Sequence, residues 1–555
     1  MKSSRQFWCS VQTYLFLTSI IVLPVLAQFT ITELPPTNPQ QSAGFGRSIA
    51  AIGDVNGDGS ADLLVGASSE NVGGTNFVGR VYIISGQDGS EIYALDTPNP
   101  QLFGTFGFTL AAADLTNDGV ADLLIGSQED VNGFSGAGRV YAFNGTNGAF
   151  LYDIESPAPE EFAWFSRTLS GLSDINNDGY DDFAVGSSES AGAPASGRVY
   201  VFSGFDGAFI YSINSATPNE NGLFSIAMES IRDVNSDGIS DLLIGADEAS
   251  DTLSRAGRVY VHSGLNGTLI YALESTNPAV NGQFGWSVTD AGDIDNDGTP
   301  DIAVGSEEAS GGVAQSGRAY VFSGVSGNLL YEINPPTPDF VDWFSRSISS
   351  VGDITGDNKN DLLIGAPFDD VGATVNAGMA FLINGADGSI LDSLASPNPQ
   401  FEGLFGFGLS GDWNPGHAGD FDIIISAYRE HVGNVLNAGK LYRFHPMDVS
   451  IDPQRQRIPA SALLEQNYPN PFNPTTTIRW EVSFTNTNNL IRVAIYDVLG
   501  KPVRDLVNQI QSAGSYEIEW DSKNNAGALM PSGVYIYRLI IGNHFDQSRK
   551  MLLIR

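Results

Sequence analysis

An acidic motif of the form Asp-x-Asn-x-Asp-Gly-x-x-Asp returns along the chain with its leading Asp at 54, 114, 174, 233, 293, 353 and 412. Successive starts are 59 or 60 residues apart. Seven units of one size restrict the fold more than any other feature, because each unit must be one supersecondary module that buries its apolar face against a neighbour. Every unit opens with Phe and a small residue, and an apolar run ending in Gly-Ala or Gly-Ser follows the acidic loop. Gly-Arg-Val-Tyr or a relative comes next, as at Gly79–Tyr82, Gly138–Tyr141, Gly197–Tyr200, Gly257–Tyr260, Gly317–Tyr320, Gly378–Phe381 and Gly439–Tyr442.

Within a unit the runs are short, rich in Val, Ile, Leu, Tyr and Phe, and separated by Gly, Asn, Asp and Pro, which predicts four antiparallel strands. No 3.6-residue periodicity lasts long enough for a helix of about ten residues. The expected fold is therefore all-β, a seven-bladed β-propeller, with an open β-solenoid as the rival. The chain ends favour the ring. The seventh unit runs into His445-Pro446-Met447 without a fourth strand, while Phe29–Leu34 followed by Thr37-Asn38-Pro39 resembles Glu91–Leu95 followed by Thr97-Pro98-Asn99-Pro100. Residues 29–34 are thus expected to supply the outer strand of the last blade.

Six loops carry Asp at positions 1, 5 and 9: Asp54/Asp58/Asp62, Asp114/Asp118/Asp122, Asp174/Asp178/Asp182, Asp233/Asp237/Asp241, Asp293/Asp297/Asp301 and Asp353/Asp357/Asp361. Position 3 bears a side-chain oxygen each time, in Asn56, Thr116, Asn176, Asn235, Asp295 and Thr355. Position 6 is Gly, or Asn358 in the sixth loop, as a sharp bend with positive φ requires. Position 7 (Ser60, Val120, Tyr180, Ile239, Thr299, Lys359) would add a backbone carbonyl. Alternating hard oxygen ligands around such a bend suit Ca²⁺, which takes six to eight oxygens at about 2.3–2.6 Å. A plain Asx/Gly turn explains the bend but not the third Asp, and three close carboxylates without a cation repel one another. About six Ca²⁺ sites are expected. The seventh loop has Asp412, Asn414 and Asp420 but Gly416 at position 5, so weak binding or none is expected there.

Phe45-Gly46, Phe106-Gly107, Phe284-Gly285 and Phe405-Gly406, together with the Asp loop and Gly-Ala/Gly-Ser, resemble the FG-GAP repeat of integrin α-subunit propellers and related bacterial surface proteins. The resemblance implies a seven-bladed propeller with calcium between the first and second strands of each blade. It also implies adhesion or ligand binding, although some such propellers accompany hydrolases or lyases.

The termini read differently. Lys2 and Arg5, an apolar run from Tyr14 to Leu26, and Val25-Leu26-Ala27 before Gln28 form a secretory signal pattern too short to span a bilayer. Cys9, the one cysteine, lies inside it, so an exported chain without disulfides is expected. Residues 28–457 hold 16 Lys+Arg against 56 Asp+Glu, whereas residues 458–555 hold 9 against 8. That step marks a boundary, giving a signal peptide (1–27), a propeller (28–447), a linker (448–462) and a C-terminal domain (463–555). Strands near Thr477–Val482, Ile491–Tyr496, Tyr516–Trp520 and Val534–Ile540 suggest a small immunoglobulin-like sandwich. Gln466–Pro474, Tyr496–Gly500, Ser532–Tyr535 and the terminal Lys550–Arg555 together resemble the sorting domain of the bacterial type IX secretion system, which implies passage to the outer face of a Gram-negative outer membrane.

The acidic balance, −37 overall, argues against nucleic acid and anionic lipid as partners, and no later run could cross a membrane. The expected function is that of a secreted or cell-surface calcium-binding module for a protein or glycan ligand, with the type IX secretion machinery as export partner. No catalytic residue is assigned. The five His residues recur at no blade position, and no nucleophile motif appears. A propeller attached to an extracellular lyase or hydrolase, or a passive surface-structure protein, is the alternative. In Glu161–Phe165 and Phe340–Phe344 aromatics occur in segments that join blades, where packing competes with stacking on sugars.

Overall fold

The computed structural model describes residues 29–191, 193–248, 253–411, 422–446, 462–464, 467–482, 489–497, 501–511, 514–525, 527–541 and 545–554. The signal pattern (1–27), residues 448–461 of the linker and the seventh acidic loop, with Asp412, Asn414, Gly416 and Asp420, lie outside them. The chain divides into two compact units, residues 1–448 and 449–555. Among the described residues every regular element is a strand.

Seven four-stranded antiparallel sheets make up the first unit. Blade 1 runs Phe45–Ala51, Leu63–Ala67, Arg80–Ile84, Glu91–Asp96, and the next five repeat its order. Blade 7 takes Phe405–Ser410, Ile423–Ala427 and Lys440–Pro446 from one end of the chain and Phe29–Leu34 from the other, with Phe29 opposite Pro446 and Leu34 opposite Leu441. The innermost strand of each blade touches that of the next, and Phe45–Ala51 touches Phe405–Ser410, so the ring is closed.

The short motifs are what join one blade to the next. Each recurring Phe donates its N–H to the carbonyl just ahead of the Gly-Arg-Val-Tyr glycine of the preceding blade: Phe106 to Val78 O (2.7 Å), Phe165 to Ala137 O (2.7 Å), and at the closure Phe45 to Ala438 O (3.1 Å). Gly79 has φ +88°, and a Cβ there would lie 2.2 Å from Phe106 O, so only glycine permits this approach. The Phe ring then packs edge-on against the motif tyrosine, as in Phe45–Tyr82 (5.4 Å) and Phe224–Tyr260 (5.4 Å). Seven apolar clusters result, one between each pair of adjacent blades, the last joining Leu34, Phe45 and Leu63 to Ile424 and Leu441.

In the second unit Ala462–Leu464, Thr476–Val482 and Gly514–Trp520 form one sheet, while Pro502–Gln511, Asn489–Asp497, Gly533–Ile541 and Phe545–Leu553 form another. They enclose a core around Trp480, Trp520, Tyr537 and Leu553, an immunoglobulin-like sandwich. Two long strands, Pro502–Gln511 and Phe545–Leu553, were not anticipated from the sequence. The terminal Lys-Met-Leu-Leu motif is the end of the second of them, with Met551 and Leu553 buried and Leu552 exposed.

Candidate functional site

The six complete acidic loops all connect the first and second strands of a blade and share one construction. The position 1 carboxylate collects backbone N–H groups of the bend: Asp54 accepts from Gly57 (2.7 Å), Asp58 (3.1 Å) and Gly59 (2.8 Å), and Asp233 from Asp237 (3.1 Å) and Gly238 (2.7 Å). Asp114, Asp174, Asp293 and Asp353 accept in the same way. Position 6 has positive φ in all six, from +66° at Asn358 to +96° at Gly179. Position 4 does too, at Gly57, Asn117, Asn177, Ser236, Asn296 and Gly356, a second left-handed residue that the sequence reading did not single out. These two residues wind the loop back on itself, as closely spaced ligand positions require.

The position 5 carboxylate accepts the N–H of position 7, from Asp58 and Ser60 (2.9 Å) through Asp357 and Lys359 (3.0 Å). In three blades it also accepts a serine hydroxyl from the turn between strands 3 and 4: Asp58 from Ser85, Asp178 from Ser203 and Asp237 from Ser263, each at 2.9 Å. Burial acts upward on Asp58, but hydrogen bonds from Asn56, Ser60 and Ser85 outweigh it and hold the carboxyl below its ordinary range.

Asp118 departs from the equivalence of position 5 that the motif implied. It is exposed, and its carboxylate accepts the N–H of Val120 (2.9 Å) but no hydroxyl from the strand 3–4 turn. That turn has Asn144 where blades 1, 3 and 4 have serine, and the Asn144 amide donates to Asp122 Oδ1 (3.2 Å) instead. Nor do Asp114, Asp118 and Asp122 draw together as a carboxylate cluster. Among the described residues such a cluster forms only in the fifth loop, where oxygens of Asp293, Asp295 and Asp297 all lie within 4.8 Å of one another. Position 3 accounts for the difference, being a carboxylate there and a neutral Thr or Asn in the other five loops.

Position 9 is the anchor. Asp62, Asp122, Asp182, Asp241, Asp301 and Asp361 are all 0% exposed. One oxygen of each accepts the N–H of a glycine in the turn between strands 3 and 4, as in Asp62 with Gly86 (3.0 Å) and Asp361 with Gly385 (2.9 Å). In five loops the other oxygen accepts the N–H of position 2, as in Asp301 with Ile294 (2.7 Å). Burial pushes the carboxyls of Asp182, Asp241, Asp301 and Asp361 up to about 6.

The second loop bears on a cation in another way. Thr116 Oγ1 and Asp122 Oδ2 lie close together, buried, yet meet neither each other nor any other group in hydrogen-bond geometry. Lone pairs left over in a ring of oxygens fit a hard cation. Among the described residues the seventh blade differs. Strand register puts Asp422, not Asp420, immediately before the second strand, where Asp361 stands in blade 6. Its carboxylate pairs with Arg443 (2.6 Å) and His445 (2.7 Å).

Two sets of residues escaped the motif reading. A buried glutamate three or four residues beyond the penultimate residue of strand 2 accepts the motif tyrosine hydroxyl: Glu70 from Tyr82 (2.7 Å), Glu129 from Tyr141 (2.8 Å), Glu248 from Tyr260 (2.6 Å) and Glu430 from Tyr442 (2.5 Å). Its repetition at the blade period was the available signal. On the face opposite the acidic loops, the residue after each Phe-Gly or Phe-Ser rings the central opening, as Arg47, Phe108, Arg167, Ile226, Trp286, Arg346 and Phe407. There the signal was inverse, a position that varies between constant neighbours. Of the blade-joining aromatics, Phe165 and Phe344 are buried, Phe162 and Phe340 are exposed, and Trp343 packs against Phe368 at 4.6 Å.

Fold and loops together define a class, a closed seven-bladed ring of repeats with acidic 1–2 loops. Residues 45–84, 106–143, 165–202 and 345–383 match the FG-GAP repeat, and residues 233–304 an FG-GAP-like repeat. Similar proteins include integrin alpha-5 of Xenopus laevis, 27% identical over 231 residues, covering 40% of this chain and 21% of that protein. Integrin alpha-8 of Gallus gallus is 29% identical over 259 residues (44% and 23%), and integrin alpha-IIb of Mus musculus 37% over 161 (26% and 15%). The repeats and this homology support an FG-GAP β-propeller. The chain spans about a fifth of the length of the first two relatives. A crystal structure of RRP9 WD40 repeats is similar at a TM-score of 0.45 and 8% identity, covering 76% of this chain and 99% of that one. Residues 467–539 match the FlgD Ig-like domain.

Proposed function

We propose that this protein is an exported, calcium-stapled propeller that acts at the cell surface as an adhesion or ligand-binding module for a protein or glycan, without turnover of its ligand. The observation that carries the reading is the repeated donor set of the 1–2 loops, with spare oxygens at Thr116 and Asp122 and three convergent carboxylates in the fifth loop. Positions 1, 3, 5 and 9 and the carbonyl of position 7 would hold Ca²⁺ in six loops. A bound ion supplies the positive charge that these carboxylates lack. The chain's own residues do the rest: position 1 shapes the bend, and position 9 ties the loop to the strand 3–4 turn. Integrin α homology supports an extracellular setting, and the composition supports a partner other than nucleic acid. The C-terminal unit would serve as the sorting domain for type IX secretion.

Calcium titration of metal-free protein, with bound metal counted by mass spectrometry, is expected to give about six ions per chain and a higher melting temperature. Binding to the native state alone contributes about 4 kcal/mol per site at a thousandfold excess over Kd. An unchanged melting curve sinks the metal assignment. Asp58→Ala is expected to remove one ion and leave the ring intact. Asp62→Ala should also lower the stability of the metal-free protein, because Asp62 additionally holds the N–H groups of Gly86 and Val55. For export, removal of residues 463–555 is expected to leave the propeller inside the cell envelope. Normal surface display of that truncation refutes the sorting role.

A further inference from the structure

Away from the acidic loops the central opening widens into a cavity of about 420 Å³ whose wall includes Arg47, Arg167 and Arg346. Cations are scarce in this ring, and nearly all are committed. Arg80, Arg139, Arg232, Arg255, Arg258, Arg318, Arg429, Lys440 and Arg443 are ion-paired, and Arg198 bonds Asn214 and Tyr200. Among the described residues the guanidiniums of Arg47, Arg167 and Arg346 have no carboxylate within ion-pair distance and no hydrogen-bond partner. The Nε of Arg167 and of Arg346, and Trp286 Nε1 beside them, are buried without an acceptor.

Aromatic faces hold the cations in place. Arg47 lies over Phe108 at 4.6 Å, Arg346 over Trp286 at 4.4 Å and over Phe407 at 5.4 Å, and Arg167 over Trp164 at 5.7 Å. Burial holds all three below the ordinary arginine range, with Arg346 at about 10, still cationic at neutral pH. Two acids stand near. Asp247 is already paired with Arg255 and Gln283. Glu307, opposite Arg346, is pushed up by burial to about 7, so it is largely neutral below that pH. The mouth is a positive island on an acidic molecule. Half-buried cations without partners are costly to keep, so a fold that holds three together leaves a demand for anions at that point.

We infer that this mouth takes an acidic saccharide, a sugar ring bearing a carboxylate or sulfate. Guanidinium forks bind such groups in bidentate fashion, and the Trp164 ring at the rim offers a flat apolar surface to a sugar face. The three cations come from blades 1, 3 and 6 and are spread around the opening instead of along one strand edge, a layout that suits a compact charged ring better than an extended acidic peptide. A pocket of a few hundred Å³ encloses a sugar residue or two. The inference rests on the ligand-binding reading above and specifies its ligand class.

The test uses the full chain in low-millimolar calcium, titrated calorimetrically with trigalacturonate, maltotriose and a hexaglutamate peptide. Trigalacturonate is expected to bind, more weakly as salt rises, and maltotriose not to bind. Arg346→Gln and Arg167→Gln, in separate blades, are each expected to weaken it at least tenfold, with the melting temperature unchanged or raised. Arg492→Gln, in the C-terminal unit, is expected to leave the affinity unchanged. Binding of maltotriose equal to that of trigalacturonate, affinities within twofold of wild type in both mouth variants, or no binding at all overturns the inference. Tighter binding of hexaglutamate overturns the saccharide assignment. If these fail while calcium stapling holds and a glycan and protein array finds another ligand, the binding-module reading survives without this site. An array with no ligand removes that reading itself.

Discussion

Tyr141 and Glu129 show how much one buried pair contributes. The Glu129 carboxylate accepts the Tyr141 hydroxyl and an amide N–H of Asn99 from the segment that joins blades 1 and 2, and it faces Arg139. Tyr141→Phe leaves a buried carboxylate short of a donor, for a loss of about 1–3 kcal/mol in urea unfolding. Glu229 offers a cleaner titration. It sits between blades 4 and 5, where burial pushes it up to about 7 although Thr289 Oγ1 (2.9 Å) and the N–H of Asp290 favour its charged form. The charged groups facing it are Asp290 and Arg232, which pair with each other at 3.0 Å. Because the folded pKa lies above the unfolded value, the protonated group's contribution is complete below about pH 4 and is lost as pH rises toward 7. Glu229→Gln is therefore expected to flatten that part of the profile of melting temperature against pH, and to be the more stable protein at pH 8. Parallel profiles for the two proteins would disprove the assignment.

At the scale of the element, the blade is a closed set of dependencies. The strand order was legible because Gly, Asn and Asp punctuate short β-branched and aromatic runs. What joins the blades was not, since contacts between Gly79 and Phe106, or Gly66 and Gly107, lie between different repeats and carry no local signal. The unequal anchoring of position 5 was hidden for the same reason: the serine that holds Asp58, or the asparagine that leaves Asp118 without a hydroxyl, sits a strand and a turn away from the motif. Gly79→Ala is expected to destabilise by more than about 2 kcal/mol, combining left-handed strain with a backbone clash. Gly312→Ala, also left-handed at φ +84° but with nothing within 4 Å, should cost about 1 kcal/mol. Equal losses in thermal unfolding would show that strain alone matters. Outer-strand tyrosines add a further link: Tyr93, Tyr152, Tyr211, Tyr271 and Tyr331 each donate to a glycine carbonyl in the strand 3–4 turn of the next blade.

In the whole molecule the ring depends on one joint. Blade 7 has Thr32 where the outer strands of blades 1–5 carry tyrosine, and Arg443 instead reaches Gly86 O (2.8 Å) across the closure. Deleting residues 29–34 is expected to expose the Lys440–Pro446 edge, lower the melting temperature by many degrees and promote aggregation on size-exclusion chromatography. A monomer of unchanged stability would mean that the strand is dispensable. Periodicity and turn chemistry are local and recur seven times, so they were enough to specify the seven units, their four strands, the N-terminal strand that completes the last blade and the thirty positions of the acidic loops. Which charges are buried together is a property of the closed ring. Arg47, Arg167 and Arg346 lie well over a hundred residues apart along the chain, and Asp422 takes the place expected for Asp420. Such encounters arise when strands from separate repeats are brought around one axis, and no window of sequence contains them.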